Sequence, residues 1–168
     1  HRHMGFVSQD PFLFSGTIAE NICYGADSAN KEDMIRAAGH AEADSFINNL
    51  PDAYETKILE GGVNVSMGQR QLIGIARAIL VDPAILIMDE ATSSVDTVTE
   101  ALIQKALDYL LSDRTAIVIA HRLTTIQGAD RIYVLDDGRI IEQGTHGQLI
   151  KSQGVYRNLY EKQFILQK

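Results

Sequence analysis

The chain alternates between short runs that are apolar throughout and longer stretches in which apolar residues recur every three or four positions. The first kind reads as strands buried on both faces of a parallel sheet, the second as helices that pack by one face. "AILIM" (Ala84 to Met88) is the clearest run, and it ends in two adjacent carboxylates, Asp89 and Glu90. "TAIVIA" (Thr115 to Ala120) is a second such run and "GFVSQ" (Gly5 to Gln9) a shorter third, after which Pro11 and Gly16 in "DPFLFSGT" break regular structure. From Thr17 to Leu50 the chain is helix-prone, interrupted by "YGADSAN", and an irregular stretch from Leu50-Pro51 leads to "EGGVN".

Ser66-Met67-Gly68-Gln69 has the form of a capping box. Leu72, Ile75, Ala76, Ile79 and Leu80 follow at helical spacing until Asp82-Pro83 ends the pattern, which predicts an amphipathic helix. Thr97-x-x-Glu100 opens a second helix with the stripe Ile103, Ala106, Leu107, Leu110 and Leu111. "RIYVL" and "RIIEQ" flank Asp136-Asp137-Gly138, a hairpin signal, and the tail from His146 onward is helical. Strands alternating with helices predict an α/β fold. Ligands bind at the carboxyl ends of strands in open α/β sheets, so Asp89 and Glu90 are candidates to hold a divalent cation and activate a water. The plain alternative is a strand that ends on solvated acids.

Composition narrows the classes. With 168 residues, 45% of them hydrophobic, the chain suits one ordinary core. A net charge of −7 supplies no basic stripe for wrapping nucleic acid. Cys23, the single cysteine, excludes an internal disulfide, which fits a reducing compartment. No apolar run approaches the roughly 20 residues of a membrane span, and no signal-peptide core is visible, so a membrane connection is expected through a partner. The opening "HRHM" reads partly as an expression scar, and His1 and His3 are set aside as ligands.

In chain order, "VSQDPFLFSGTIAENI", "VNVSMGQRQLIGIARAIL", "AILIMDEATSSVD" and "AIVIAHRL" resemble the nucleotide-binding domain of ABC transporters of the exporter, multidrug type. The resemblance implies a RecA-like P-loop NTPase core, a mostly parallel sheet flanked by helices, with a helical signature subdomain. On that reading residues 1–168 are the C-terminal part of an ABC ATPase domain, with the helical subdomain at approximately 17–82 and the core at 1–16 and 83–168. It implies ATP and Mg²⁺ as ligands, a transmembrane domain and a second nucleotide-binding domain in a head-to-tail dimer as partners, no nucleic acid, and a place on the cytoplasmic face of the membrane.

Residue by residue, Gln9 matches the Q-loop glutamine that reaches toward Mg²⁺ and the attacking water. Ser66, Gly68 and Gln69 match the signature motif, whose helix N-terminus meets a γ-phosphate. Asp89 matches the Walker B aspartate that positions Mg²⁺, and Glu90 the glutamate that takes the proton from the water. Asp96 matches the D-loop aspartate that couples the two sites, or serves as the N-cap of its helix. His121 matches the switch histidine that bonds the γ-phosphate. His40 and His146 are left as surface or packing residues.

Three departures stand out. Met67 occupies the usual place of the first signature glycine, and Gly61, beside Glu60, stands where an arginine is common, so one inter-domain salt bridge is expected to be missing. The phosphate loop G-x-x-x-x-G-K-[ST] does not occur, since Ile150 precedes the single Lys-Ser pair, Lys151-Ser152. The chain therefore reads as a domain cut before "GFVSQ", lacking its N-terminal strands and P-loop and inactive by itself. By resemblance the missing strand lies between the "TAIVIA" and "RIYVL" strands. Those two are expected to close on each other, to take in a segment of a neighbouring copy, or to belong with an upstream portion. Two other function classes remain: DNA-repair or chromosome-organising ABC-type ATPases, which splice coiled coils between their halves where this chain has no heptad run, and a non-catalytic interaction module.

Overall fold

The computed structural model describes residues 4–8, 10–26, 28–89, 95–120 and 123–162. The chain divides into two compact units, His1–Ile119 and Ala120–Lys168.

In the first unit, β1 (Met4–Val7), β4 (Ile85–Asp89) and β5 (Thr115–Ile119) form a parallel sheet in that spatial order. Between β1 and β4 lie the small ribbon of β2 (Gly16–Thr17) against β3 (Lys57–Ile58), and helices α1 (Ile18–Cys23), α2 (Lys31–His40), α3 (Asp44–Asn48) and α4 (Met67–Val81). Helix α5 (Thr97–Leu111) joins β4 to β5. In a parallel ladder, paired residues share a face, so Val7, Met88 and Val118 point one way and Phe6, Ile87 and Ile117 the other. Leu86 and Met88 are buried in the core that α4 and α5 help to build. The other face is open among the described residues, with Phe6 66% and Ile117 60% exposed. Complete burial of β4 on both faces, expected from its unbroken apolar run, is thus corrected to one buried and one half-buried face. β5 is an edge strand of this sheet among the described residues.

Helix α4 begins at the expected capping box and stops at Asp82, whose φ of 49° is left-handed. Its burial is wider than the amphipathic stripe: Gln71, Ile73 and Gly74 are buried along with Leu72, Ile75 and Ala76, whereas Ile79 and Leu80 are half-buried. The reason is position, because α1, α2, α5 and β1 all pack on it. Helix α5 buries Ile103, Ala106, Leu107 and Leu110 as its stripe predicts. Its cap is Asp96, which accepts from Thr99 N at 3.0 Å, rather than a Thr97–Glu100 box.

The second unit holds α6 (Leu123–Gly128), the hairpin of β6 (Ile132–Asp136) and β7 (Arg139–Gly144), and two short helices, α7 (His146–Lys151) and α8 (Val155–Tyr160). The two-residue loop has positive φ at both Asp137 (44°) and Gly138 (72°), the backbone that a tight hairpin of matching twist requires. Val134, Leu149 and Tyr156 form its core. Among the described residues no helix is long and apolar enough to cross a membrane.

Candidate functional site

Asp89 is the last residue of β4, opposite Ile119 of β5, and half-buried at the carboxyl edge of the sheet. Gln9, Glu90 and His121 lie outside the described residues. Among the described residues no group of three His, Cys, Asp or Glu side chains could hold a metal by itself. A Mg²⁺ ion that keeps several waters needs only one or two carboxylates beside phosphate oxygens, and Asp89 at its strand tip has the chemistry of such a donor.

The start of α4 is built by reciprocal hydrogen bonds. Ser66 Oγ accepts from Gln69 N at 3.2 Å, and Gln69 Oε1 accepts from Ser66 N at 3.0 Å. Gly68 is buried against the first turn of α5, where an added Cβ would meet Thr99 Cγ2 and Val95 Cγ1. The residues Ser66, Gly68, Gln69 and Asp96 are therefore brought together by the packing of two helix N-termini. Hydrogen bonds from the Thr99 backbone hold the Asp96 carboxyl below the ordinary carboxylate range. Both helices aim their positive ends at this surface, which suits an anion.

Met67 is absorbed locally, because Arg70 Nη2 donates to its Sδ at 3.3 Å. Gly61 has a φ of 71°, where a side chain would be strained, and its carbonyl accepts from Arg70 Nη1 at 3.2 Å. The glycine that departs from the family pattern thus has a backbone reason to be there. Sequence patterning gives no sign of Thr99, Val95 or Arg70 at this site, since each acts through a tertiary contact. His40 stacks on Tyr109, and His146 Nδ1 meets Tyr156 Oη at 2.7 Å, so both histidines are packing residues.

The family model described as "ABC transporter" matches residues 1–93, more than half of the chain, so the chain belongs to that family. It is 55% identical over 163 residues to "Uncharacterized ABC transporter ATP-binding protein YfiC" of Bacillus subtilis (strain 168), covering 97% of this chain and 27% of that protein. It is 50% identical over 160 residues to a Staphylococcus aureus (strain NCTC 8325 / PS 47) protein named "Putative multidrug export ATP-binding/permease protein", covering 95% of this chain and 28% of the relative. A solved bacterial Atm1-family ABC exporter with ATP bound superposes with a TM-score of 0.87 at 42% identity, over 97% of this chain and 28% of the exporter chain. The chain thus spans little more than a quarter of the length of these relatives.

Proposed function

We propose that this chain is part of the ATP-binding and ATP-hydrolysing domain of an ABC exporter, coupling ATP-driven association of two such domains to transport across a membrane. The observation that carries the reading is the packing of Gly68 against Thr99, which sets the Ser66-capped start of α4 beside the Asp96-capped start of α5. ATP supplies the phosphoanhydride bond to be hydrolysed. Asp89, with Gln9, would hold Mg²⁺, Glu90 would take a proton from the attacking water, and His121 would bond the γ-phosphate. Ser66, Gly68 and Gln69 would meet the nucleotide held by a second nucleotide-binding domain, head to tail, and Asp96 would couple the two sites.

The proposed division places a helical signature subdomain at approximately 17–82 and the core at 1–16 and 83–168. The partners are a transmembrane domain and a second nucleotide-binding domain, with no nucleic acid, at the cytoplasmic face of a cell membrane. The permease in the Staphylococcus relative's name supports the first of these. Without a G-x-x-x-x-G-K-[ST] loop the 168-residue chain alone is inactive.

The test is Glu90→Gln in the complete transporter polypeptide. Hydrolysis should fall by about a hundredfold or more while ATP binding is retained, as expected when a general base is removed and the phosphate site is left intact. Turnover near the wild-type rate would take Glu90 out of the mechanism.

A further inference from the structure

Arg70, Gly74 and Arg77 recur at i, i+4 and i+7 and so share one face of α4. Each meets a successive residue of the segment that follows β1. Arg70 Nη2 lies 3.4 Å from Asp10 Oδ1. At Gly74 a methyl group would sit 2.7 Å from both Cβ and Cγ of Pro11, so the proline ring rests directly on the helix backbone. Arg77 Nη1 donates to Phe12 O at 3.2 Å.

Arg77 does more than the other two. Its Nε donates to Asn21 O at 2.9 Å and its Nη2 to Asn21 Oδ1 at 3.2 Å. The guanidinium lies 5.8 Å from the Phe14 ring centroid and 5.4 Å from that of Tyr24, and those two rings stack at 4.5 Å. Asn21 is buried and donates from Nδ2 to Phe14 O in the same loop at 2.9 Å and to Thr17 O at the end of β2 at 3.0 Å. A planar fork whose three nitrogens each donate suits this set, whereas the single nitrogen of a lysine cannot reach acceptors spread across the whole guanidinium. The Asp10 pair is the weakest rung, since Asp10 is 58% exposed and such pairs contribute little.

We propose that Gly74 and Arg77, aided by Arg70, are positioning residues that lock the Asp10–Phe12 segment in register with α4, so that this segment and the Ser66 start of the helix are displaced together. The proposal rests on the function proposed above and adds to it the device by which a load on the loop after β1 reaches the start of α4. The exposed rings of Phe12, Phe14 and Tyr24 sit at the Arg77 end of the rail, and the Ser66 cap sits at the other.

The test uses the complete transporter polypeptide with MgATP, scoring kcat per bound nucleotide, ATP affinity and the thermal midpoint. Gly74→Val should lower kcat at least about fivefold with ATP affinity within about twofold of wild type, as expected when a group acts on placement and not on ground-state binding. Adding Pro11→Gly should restore at least half of that loss by removing the ring that the new side chain strikes. Arg77→Lys, which keeps charge and bulk, should reproduce the kcat loss and so covers the case in which the valine variant fails to fold. Recovery of the thermal midpoint without recovery of kcat would reduce the rail to packing and overturn the proposal, as would an Arg77→Lys enzyme with wild-type kcat. A wild-type protein that binds ATP and does not hydrolyse it would instead overturn the proposed function, and the positioning role with it.

Discussion

His40 lies flat on Tyr109, with ring centroids 4.0 Å apart and planes 7° from parallel. The stack joins the last residue of α2 to the fourth turn of α5, and an ion pair of Lys105 Nζ with Glu42 Oε1 at 2.8 Å lies beside it. Lys105 is largely exposed, so the stack is the stronger tie.

A double-mutant cycle on His40→Ala and Tyr109→Ala should return a coupling of about 0.5–1.5 kcal/mol, the range for aromatic pairs. Denaturant unfolding of the full protein measures it, and His40→Phe should keep most of the coupling. Strictly additive single effects would show that the two rings contribute independently.

Gly68→Ala places a methyl 2.3 Å from Thr99 Cγ2. It should destabilise the fold by about 1–3 kcal/mol, the cost of overpacking a close contact. Thr99→Ser, which removes that methyl, should recover part of the loss when the two changes are combined. An alanine variant as stable as the parent would mean that the helix starts are free to separate.

Asp96 titrates below the ordinary carboxylate value because the Thr99 backbone donates to it. A depressed folded-state pKa contributes stability above the unfolded value of 3.8, and that contribution is lost as pH falls through the folded value. Asp96→Asn, which keeps a cap without a charge, should flatten the acid limb of the unfolding curve below about pH 4 and change little at neutral pH. Asp96→Ala should lower the midpoint at neutral pH as well. Identical acid limbs in wild type and the asparagine variant would refute the assignment.

Ser66 should act across a dimer. In mixed dimers of the complete protein, one subunit carrying Ser66→Arg and the other Glu90→Gln place both lesions in one composite site and leave the other intact. About half of wild-type hydrolysis should survive, whereas dimers uniform in either change should lose nearly all of it. Mixed dimers as inactive as the uniform ones would place Ser66 in its own subunit's site.

The open sheet face presents Met4 and Phe6 on β1 and Ile117 and Ile119 on β5, the two strands that flank β4. Contiguous exposed apolar side chains promote association. The 168-residue chain alone should self-associate at micromolar concentration, and Phe6→Lys with Ile117→Lys should reduce this. Sedimentation velocity measures it, and a monodisperse parent chain would contradict the expectation.

The local elements were legible in the chain because their causes are local. Ser66 and Gln69 cap α4 through a spacing visible on the page, Pro83 follows the left-handed stop at Asp82, and the Ile103–Leu110 stripe buries as its period requires. Two elements misled: the apolar run of β4 does not reveal that one sheet face lacks a cover, and Thr97–Glu100 imitates a cap that Asp96 provides. The order of motifs nominated Gln9, Ser66, Gly68, Gln69, Asp89, Glu90, Asp96 and His121, and of these the structure gathers Ser66, Gly68, Gln69 and Asp96 at one pair of packed helix starts.

Only the tertiary structure decided how those motifs are supported. Gly68 meets Thr99, and Arg77 finds its acceptors 56 and 65 residues away at Asn21 and Phe12. Gln71, Ile73 and Gly74 are buried because other elements surround α4. A periodic pattern records which face of a helix avoids water. It carries no record of which distant carbonyl or methyl group fills the space opposite, because that depends on how the chain returns on itself.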